Sequence, residues 1–104
     1  MSVHQWKHIC AVMDIPRLGS RVVKTAKGNV AVFRNGDDEV YALHDKCPHK
    51  GGPLSQGIVH GKRVTCPLHG WNIGLEDGQA VAPDSGHAAC MNVKVEEGKV
   101  YLKL

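Results

Sequence analysis

Four residues in the stretch CPHKGGPLSQGIVHGKRVTCPLHGW, residues 47–71, could do chemistry together: Cys47, His49, Cys66 and His69. They form the pattern C-x-H-x16-C-x2-H, so each half contributes one thiol and one imidazole. Each cysteine precedes a proline, and each histidine is followed closely by glycine. A residue before proline is pushed toward an extended conformation, and proline donates no backbone hydrogen bond. Both cysteines are therefore expected at stiff, extended loop tips. Gly51, Gly52 and Gly70 allow close backbone approach, so that nearby N–H groups could face sulfide or thiolate acceptors.

Two centres suit this donor set. A structural zinc ion takes four such ligands in a closed tetrahedron, whichever loop supplies them. The two-cysteine, two-histidine finger, however, keeps its cysteines together and carries its histidines on a helix. Neither that order nor a helical period is present here. The other centre is a [2Fe–2S] cluster with both cysteines on one iron and both histidines on the other. Alternation then has a reason: each loop spans both irons, and two similar loops clamp the cluster from opposite sides. The iron–sulfur reading is favoured, with zinc or no metal as the alternative.

The remaining histidines and cysteines read as structural. His4, His8, His44, His60 and His87 are expected at the surface or partly buried. Cys10 and Cys90 lie in strand-like contexts, where a reduced cysteine behaves as a small apolar residue. A Cys10–Cys90 disulfide is disfavoured in a reducing compartment. Asp45, Lys46 and Lys50 flank the paired motifs. Asp45 and Lys50 are expected to be solvated, while the two lysines could also meet an acidic partner.

At 104 residues the chain is expected to form one domain, residues 1–104. A chain of this length buries about two thirds of its unfolded surface, so a metal would serve function rather than rescue the fold. The net charge is +3 and the charges are scattered, without a basic stripe, which argues against nucleic acid. No apolar run reaches membrane-spanning length, and the first residues lack the apolar core of a signal peptide. The expected setting is cytoplasmic, with no membrane.

Short alternating apolar segments and frequent turn signals point to strands. A first strand is expected over residues 3–9. RVVKTA is expected to turn at Lys27-Gly28-Asn29 into VAVFR, and Asn35-Gly36-Asp37-Asp38 to turn into EVYALH through the positive φ that Asn-Gly tolerates. Hairpins are expected at Gly61-Lys62, Asp77-Gly78 and Glu97-Gly98. Val93, Val95, Val100 and Leu102 supply the apolar face of the last hairpin. The fold class is all-β, an antiparallel sandwich or barrel with one cluster-binding loop subdomain over about residues 44–83.

The paired motifs and the strand pattern around them resemble the Rieske-type [2Fe–2S] proteins over nearly the whole chain. The resemblance implies a β-fold base with two cluster loops at one tip, Cys47, His49, Cys66 and His69 as ligands, and a third loop covering the cluster, with Pro83 of VAPDSG in that place. Within this group HDKCPHKGGPLSQGIVHGKRVTCPLHGWNIGLEDGQAVAPDSG is similar to the small subunits of assimilatory NAD(P)H-dependent nitrite reductases. That implies a large partner subunit carrying flavin, a second iron–sulfur cluster and sirohaem. Ferredoxin components of aromatic-ring dioxygenases share the four ligands and the length, and are the alternative. Respiratory members carry a disulfide between the cluster loops and hydroxyl donors beyond the second histidine. Here Gly52, Leu68, Trp71 and Ile73 occupy those positions, so a quinol-oxidising role is not implied.

Two thiolates and two neutral imidazoles leave an oxidised dipositive core neutral. It therefore accepts an electron more readily than a four-thiolate cluster. Lacking the hydroxyl donors, the midpoint is expected near the low end of the Rieske range, about −150 mV. The chain offers no catalytic constellation of its own, so it is expected to transfer electrons within a larger oxidoreductase.

Overall fold

The computed structural model describes residues 6–26, 28–47, 52–67, 70–81 and 86–103. Among the described residues, ten short strands form three antiparallel sheets, as the alternating pattern requires. The first sheet joins the two ends of the chain. β1 (Trp6–Ala11) pairs with β10 (Lys99–Lys103), which pairs with β9 (Val93–Glu96). The second sheet has the order β2 (Gly19–Thr25), β3 (Gly28–Arg34), β4 (Val40–His44), β8 (Cys90–Met91). The third is a small meander of β5 (Ile58–His60), β6 (Arg63–Thr65) and β7 (Asn72–Gly74). It is inserted between β4 and β8 and lies within the expected loop subdomain.

The segment Val30-Ala31-Val32-Phe33 is continuously apolar because β3 is covered on both faces. Ala31 and Phe33 face one core, together with Leu43, Leu54, Val59, Val64 and Ile73. Val30 and Val32 face a second core with Cys10, Ile15, Ala42, Val100 and Leu102. β4 divides in the same way, Leu43 to one side and Ala42 to the other.

The expected hairpins at Gly61-Lys62 and Glu97-Gly98 form, with positive φ at Gly61, Glu97 and Gly98. The Asp77-Gly78 turn returns the chain toward β7, with Gly74 N–H bonded to Gln79 O and Ile73 bridged to Ala80. Four details differ. The first strand runs to Ala11 rather than residue 9, because a bulge between His8 and Cys10 turns Cys10 inward and pairing continues to Lys99; residues 3–5 lie outside the described residues. The first hairpin closes earlier, since Gly28 already pairs with Thr25. In the Asn35–Glu39 turn the left-handed residue is Asp38. The buried Asn35 side chain holds that turn, its Oδ1 accepting from the N–H groups of Asp37 and Glu39 and its Nδ2 donating to Glu39. Finally, Val95 is exposed, leaving Val93, Val100 and Leu102 to cover the base core.

Candidate metal centre

Cys47 follows β4 and Cys66 follows β6, yet both are buried in the same core, 3% and 1% exposed. All four cysteines are reduced. Cys10 packs in the base core instead, and Cys90 sits in β8 with its Sγ 4.0 Å from the Glu76 carbonyl. Burial raises both of these thiols above their ordinary value, helped at Cys90 by Asp77. Neither lies in the core that holds Cys47 and Cys66. His49 and His69 lie outside the described residues, as do Lys50, Leu68 and Pro83.

The two cysteines are held by the same backbone device. Cys47 N–H donates to Gly52 O at 2.7 Å, and Cys66 N–H donates to Trp71 O at 2.7 Å, five residues on in both cases. The repeated Cys-Pro motif thus corresponds to a repeated loop closure. Pro67 is exposed beside buried Cys66, and Gly70 adopts φ 70° with open space at its Cβ position. Leu54 and Ile73 are fully buried in this core, and Trp71 and Tyr41 pack against it half-buried. Burial, with nearby Glu39 and Glu76, raises the Tyr41 phenol above its ordinary value.

Two local networks were not legible in the sequence. Asp45, expected to be solvated, accepts two hydrogen bonds from Ser55: the backbone N–H at 2.7 Å to Oδ1 and the hydroxyl at 2.8 Å to Oδ2. Nothing in the periodicity marks a pair ten residues apart across a loop. On β6, Thr65 Oγ1 donates to Asn72 Oδ1 at 2.7 Å, and His60 Nε2 lies within hydrogen-bond distance of the same hydroxyl, 2.6 Å from Thr65 Oγ1. His60, His8, His44 and His87 occupy exposed or half-buried positions, as expected.

Residues 5–99 match the Rieske [2Fe–2S] domain. The chain is 34% identical over 99 residues to ferredoxin CarAc of Metapseudomonas resinovorans, covering 93% of this chain and 92% of that one. It is 43% identical over 91 residues to the 4β-methylsterol monooxygenase of Methylococcus capsulatus, covering 85% of this chain but 22% of that enzyme. Among solved structures, one assigned as the small subunit of an NADPH nitrite reductase superposes with a TM-score of 0.82 at 27% identity, covering 94% of this chain and 97% of the other. The chain belongs to the Rieske [2Fe–2S] domain family. It is an electron-transfer protein of that class, and its cofactor is a Rieske-type [2Fe–2S] cluster.

The chemistry of the donors fits that group. The sulfur end of such a cluster needs two thiolates from separate loops, shielded from solvent and not oxidised to each other. Cys47 and Cys66 meet each of those conditions. When bound, the cluster supplies one-electron chemistry; the protein supplies ligands, burial and the hydrogen bonds that hold the loops. Among the described residues no helix is long and apolar enough to cross a membrane.

Proposed function

We propose that Cys47 and Cys66 ligate one iron of the cluster, that His49 and His69 ligate the other, and that residues 44–83 form the cluster-binding part of a single domain. What supports the ligand set is the convergence of two buried, reduced cysteines from separate loops into one core. Substituting Cys66→Ser or His69→Ala should abolish the visible absorption and the iron content. Zinc in place of iron in the wild-type protein would refute the assignment.

The particular role we infer is that of the electron-transferring small subunit of an assimilatory NAD(P)H-dependent nitrite reductase, working in the cytoplasm. The near end-to-end similarity to a nitrite reductase small subunit carries this reading, together with the wording of residues 44–86. Nitrite reduction to ammonium takes six electrons, so the chemistry belongs to a large partner subunit with flavin, a second iron–sulfur cluster and sirohaem. Lys46, exposed next to Cys47, and Lys50 are placed in the sequence to meet an acidic surface on it. Co-expression with that subunit should yield a stable complex whose NAD(P)H-dependent nitrite reduction requires this chain.

A second reading, a free-standing ferredoxin that donates electrons to an oxygenase, is favoured by the 34% identity to ferredoxin CarAc over almost the full length of both chains. Stopped-flow mixing of the reduced protein with each acceptor separates the two. Rapid reoxidation by a terminal oxygenase, without complex formation with a sirohaem subunit, would select the ferredoxin.

A further inference from the structure

We propose that Asp45 is a positioning residue for the cluster, acting through Ser55 to fix the loop that carries Cys47 and His49. This rests on the ligand assignment above. Both oxygens of the Asp45 carboxylate are occupied by donors of one residue, the N–H and O–H of Ser55 at 2.7 and 2.8 Å. A two-pronged, charge-assisted contact of this kind fixes orientation as well as distance. It joins the two ends of an eleven-residue loop, Asp45 to Ser55, with Cys47 and His49 inside it.

Both ends of that loop are in turn bound to the four-stranded sheet. Asp45 N–H donates to Asn29 O on β3 at 2.9 Å, and Ser20 Oγ on β2 donates to Ser55 O at 2.7 Å. Asn29, Asp45, Ser55 and Ser20 therefore make a continuous hydrogen-bonded strap running from one strand to its neighbour through the mouth of the loop. The Cys47 N–H to Gly52 O bond closes a smaller ring inside it. None of these bonds uses the cysteine sulfur, which stays available as a ligand. The second loop has the same inner ring, Cys66 N–H to Trp71 O, but the outer bond seen across it among the described residues is neutral, Thr65 Oγ1 to Asn72 Oδ1. The charged strap is thus a device of the first loop. Asp45 also has no ion-pair partner among the described residues. Its negative charge, two residues from a ligand, favours the more positive, oxidised cluster.

The test compares the wild-type holoprotein with Asp45→Asn and Ser55→Ala. Four quantities are read: the rate of bleaching by a chelator, the electron paramagnetic resonance g-values after reduction, the midpoint potential, and the melting temperature of the apoprotein. The Asn variant should lose its cluster about tenfold faster, the order expected for hydrogen bonds to a charged group, and the Ala variant should bleach faster too. Both should shift the g-values, and only Asp45→Asn should also move the midpoint upward by loss of charge. Ser55→Ala removes one hydroxyl and keeps the loop's N–H bond, so it remains informative if Asp45→Asn folds poorly. Bleaching at the wild-type rate in both variants would overturn the proposal. So would faster bleaching that tracks apoprotein melting while g-values and midpoint stay fixed, since that is general stability. A wild-type protein without a [2Fe–2S] spectrum would overturn the ligand assignment and this inference with it, whereas a normal wild-type cluster with indifferent variants would overturn this inference alone.

Discussion

Gly57 lies so close to the Thr65 carbonyl oxygen that a β-carbon on it would collide with that backbone. The same β-carbon would stand 2.9 Å from Val64 Cγ2 and 3.1 Å from Leu54 O. Gly57 ends the segment that carries Cys47, and Thr65 immediately precedes Cys66, so this contact sets the two loops against each other. The backbone at Gly57, φ −80° and ψ 175°, would suit alanine; the obstacle is space alone. Gly57→Ala should therefore cost about 1–3 kcal/mol by overpacking and reduce iron per chain. Gly61→Asn should change little, because its β-carbon meets nothing and asparagine tolerates φ 59°. Calorimetry and iron analysis of both proteins would check this; an unaffected Gly57→Ala protein would refute it.

Leu54 is fully buried among Phe33, Leu43, Ile73 and both candidate sulfur ligands. Leu54→Ala should destabilise by about 2–5 kcal/mol and weaken cluster retention as well. Leu102→Ala, in the base core, should cost a similar amount of stability with a smaller effect on retention. Chelator challenge at a fixed temperature, set beside denaturant melts, reads both. Equal cluster loss in the two variants would contradict the separation of the cores.

Ile73 is fully buried in the core that holds Cys47 and Cys66, and it carries no hydroxyl. Without a donor there to stabilise the added electron, the midpoint should lie near the lower end of the Rieske range, about −150 mV. Protein-film voltammetry at neutral pH measures it directly. A value well above zero would mean that another donor reaches the cluster.

Alkaline stability should depend on Cys10. Burial raises its thiol above the ordinary value, Arg21 lowers it and Asp14 raises it further. The folded state thus holds its proton more tightly than the unfolded chain. The resulting contribution is complete below the unfolded thiol pKa, about 9, and disappears as the pH rises through the higher folded value. Cys10→Val keeps the apolar packing without a titrating group. Its melting temperature should fall less steeply than wild type as the pH rises above about 9. Parallel curves would show that Cys10 ionises alike in both states.

Much of this architecture was legible in the residues. Turn chemistry marked Gly61-Lys62, Asp77-Gly78 and Glu97-Gly98, because few residues tolerate the backbone those hairpins require. The repeated Cys-Pro marked two alike loops, and the structure closes them by alike hydrogen bonds. What escaped was tertiary. Asp45 reads as a solvated loop carboxylate until Ser55 is brought opposite it. Val95 alternates correctly but projects from β9 into solvent. Asn35-Gly36 marked the right turn for the wrong reason, since the asparagine acts through its side chain and Asp38 takes the left-handed backbone. A bulge such as that between His8 and Cys10 shifts a strand by one residue and leaves no mark in the apolar pattern.

The partition made by β3 and its neighbour β4 has a consequence for how such a carrier can be retuned. Along these two ribbons the odd-numbered side chains, Ala31, Phe33, Tyr41 and Leu43, face the core that holds Cys47 and Cys66, and the even-numbered ones, Val30, Val32, Val40 and Ala42, face the base core. Parity along these strands separates the side chains that pack beside the two cysteines from those that pack the base core. Substitutions can accumulate on one register while the other is left untouched, and a single scaffold can serve centres of different driving force.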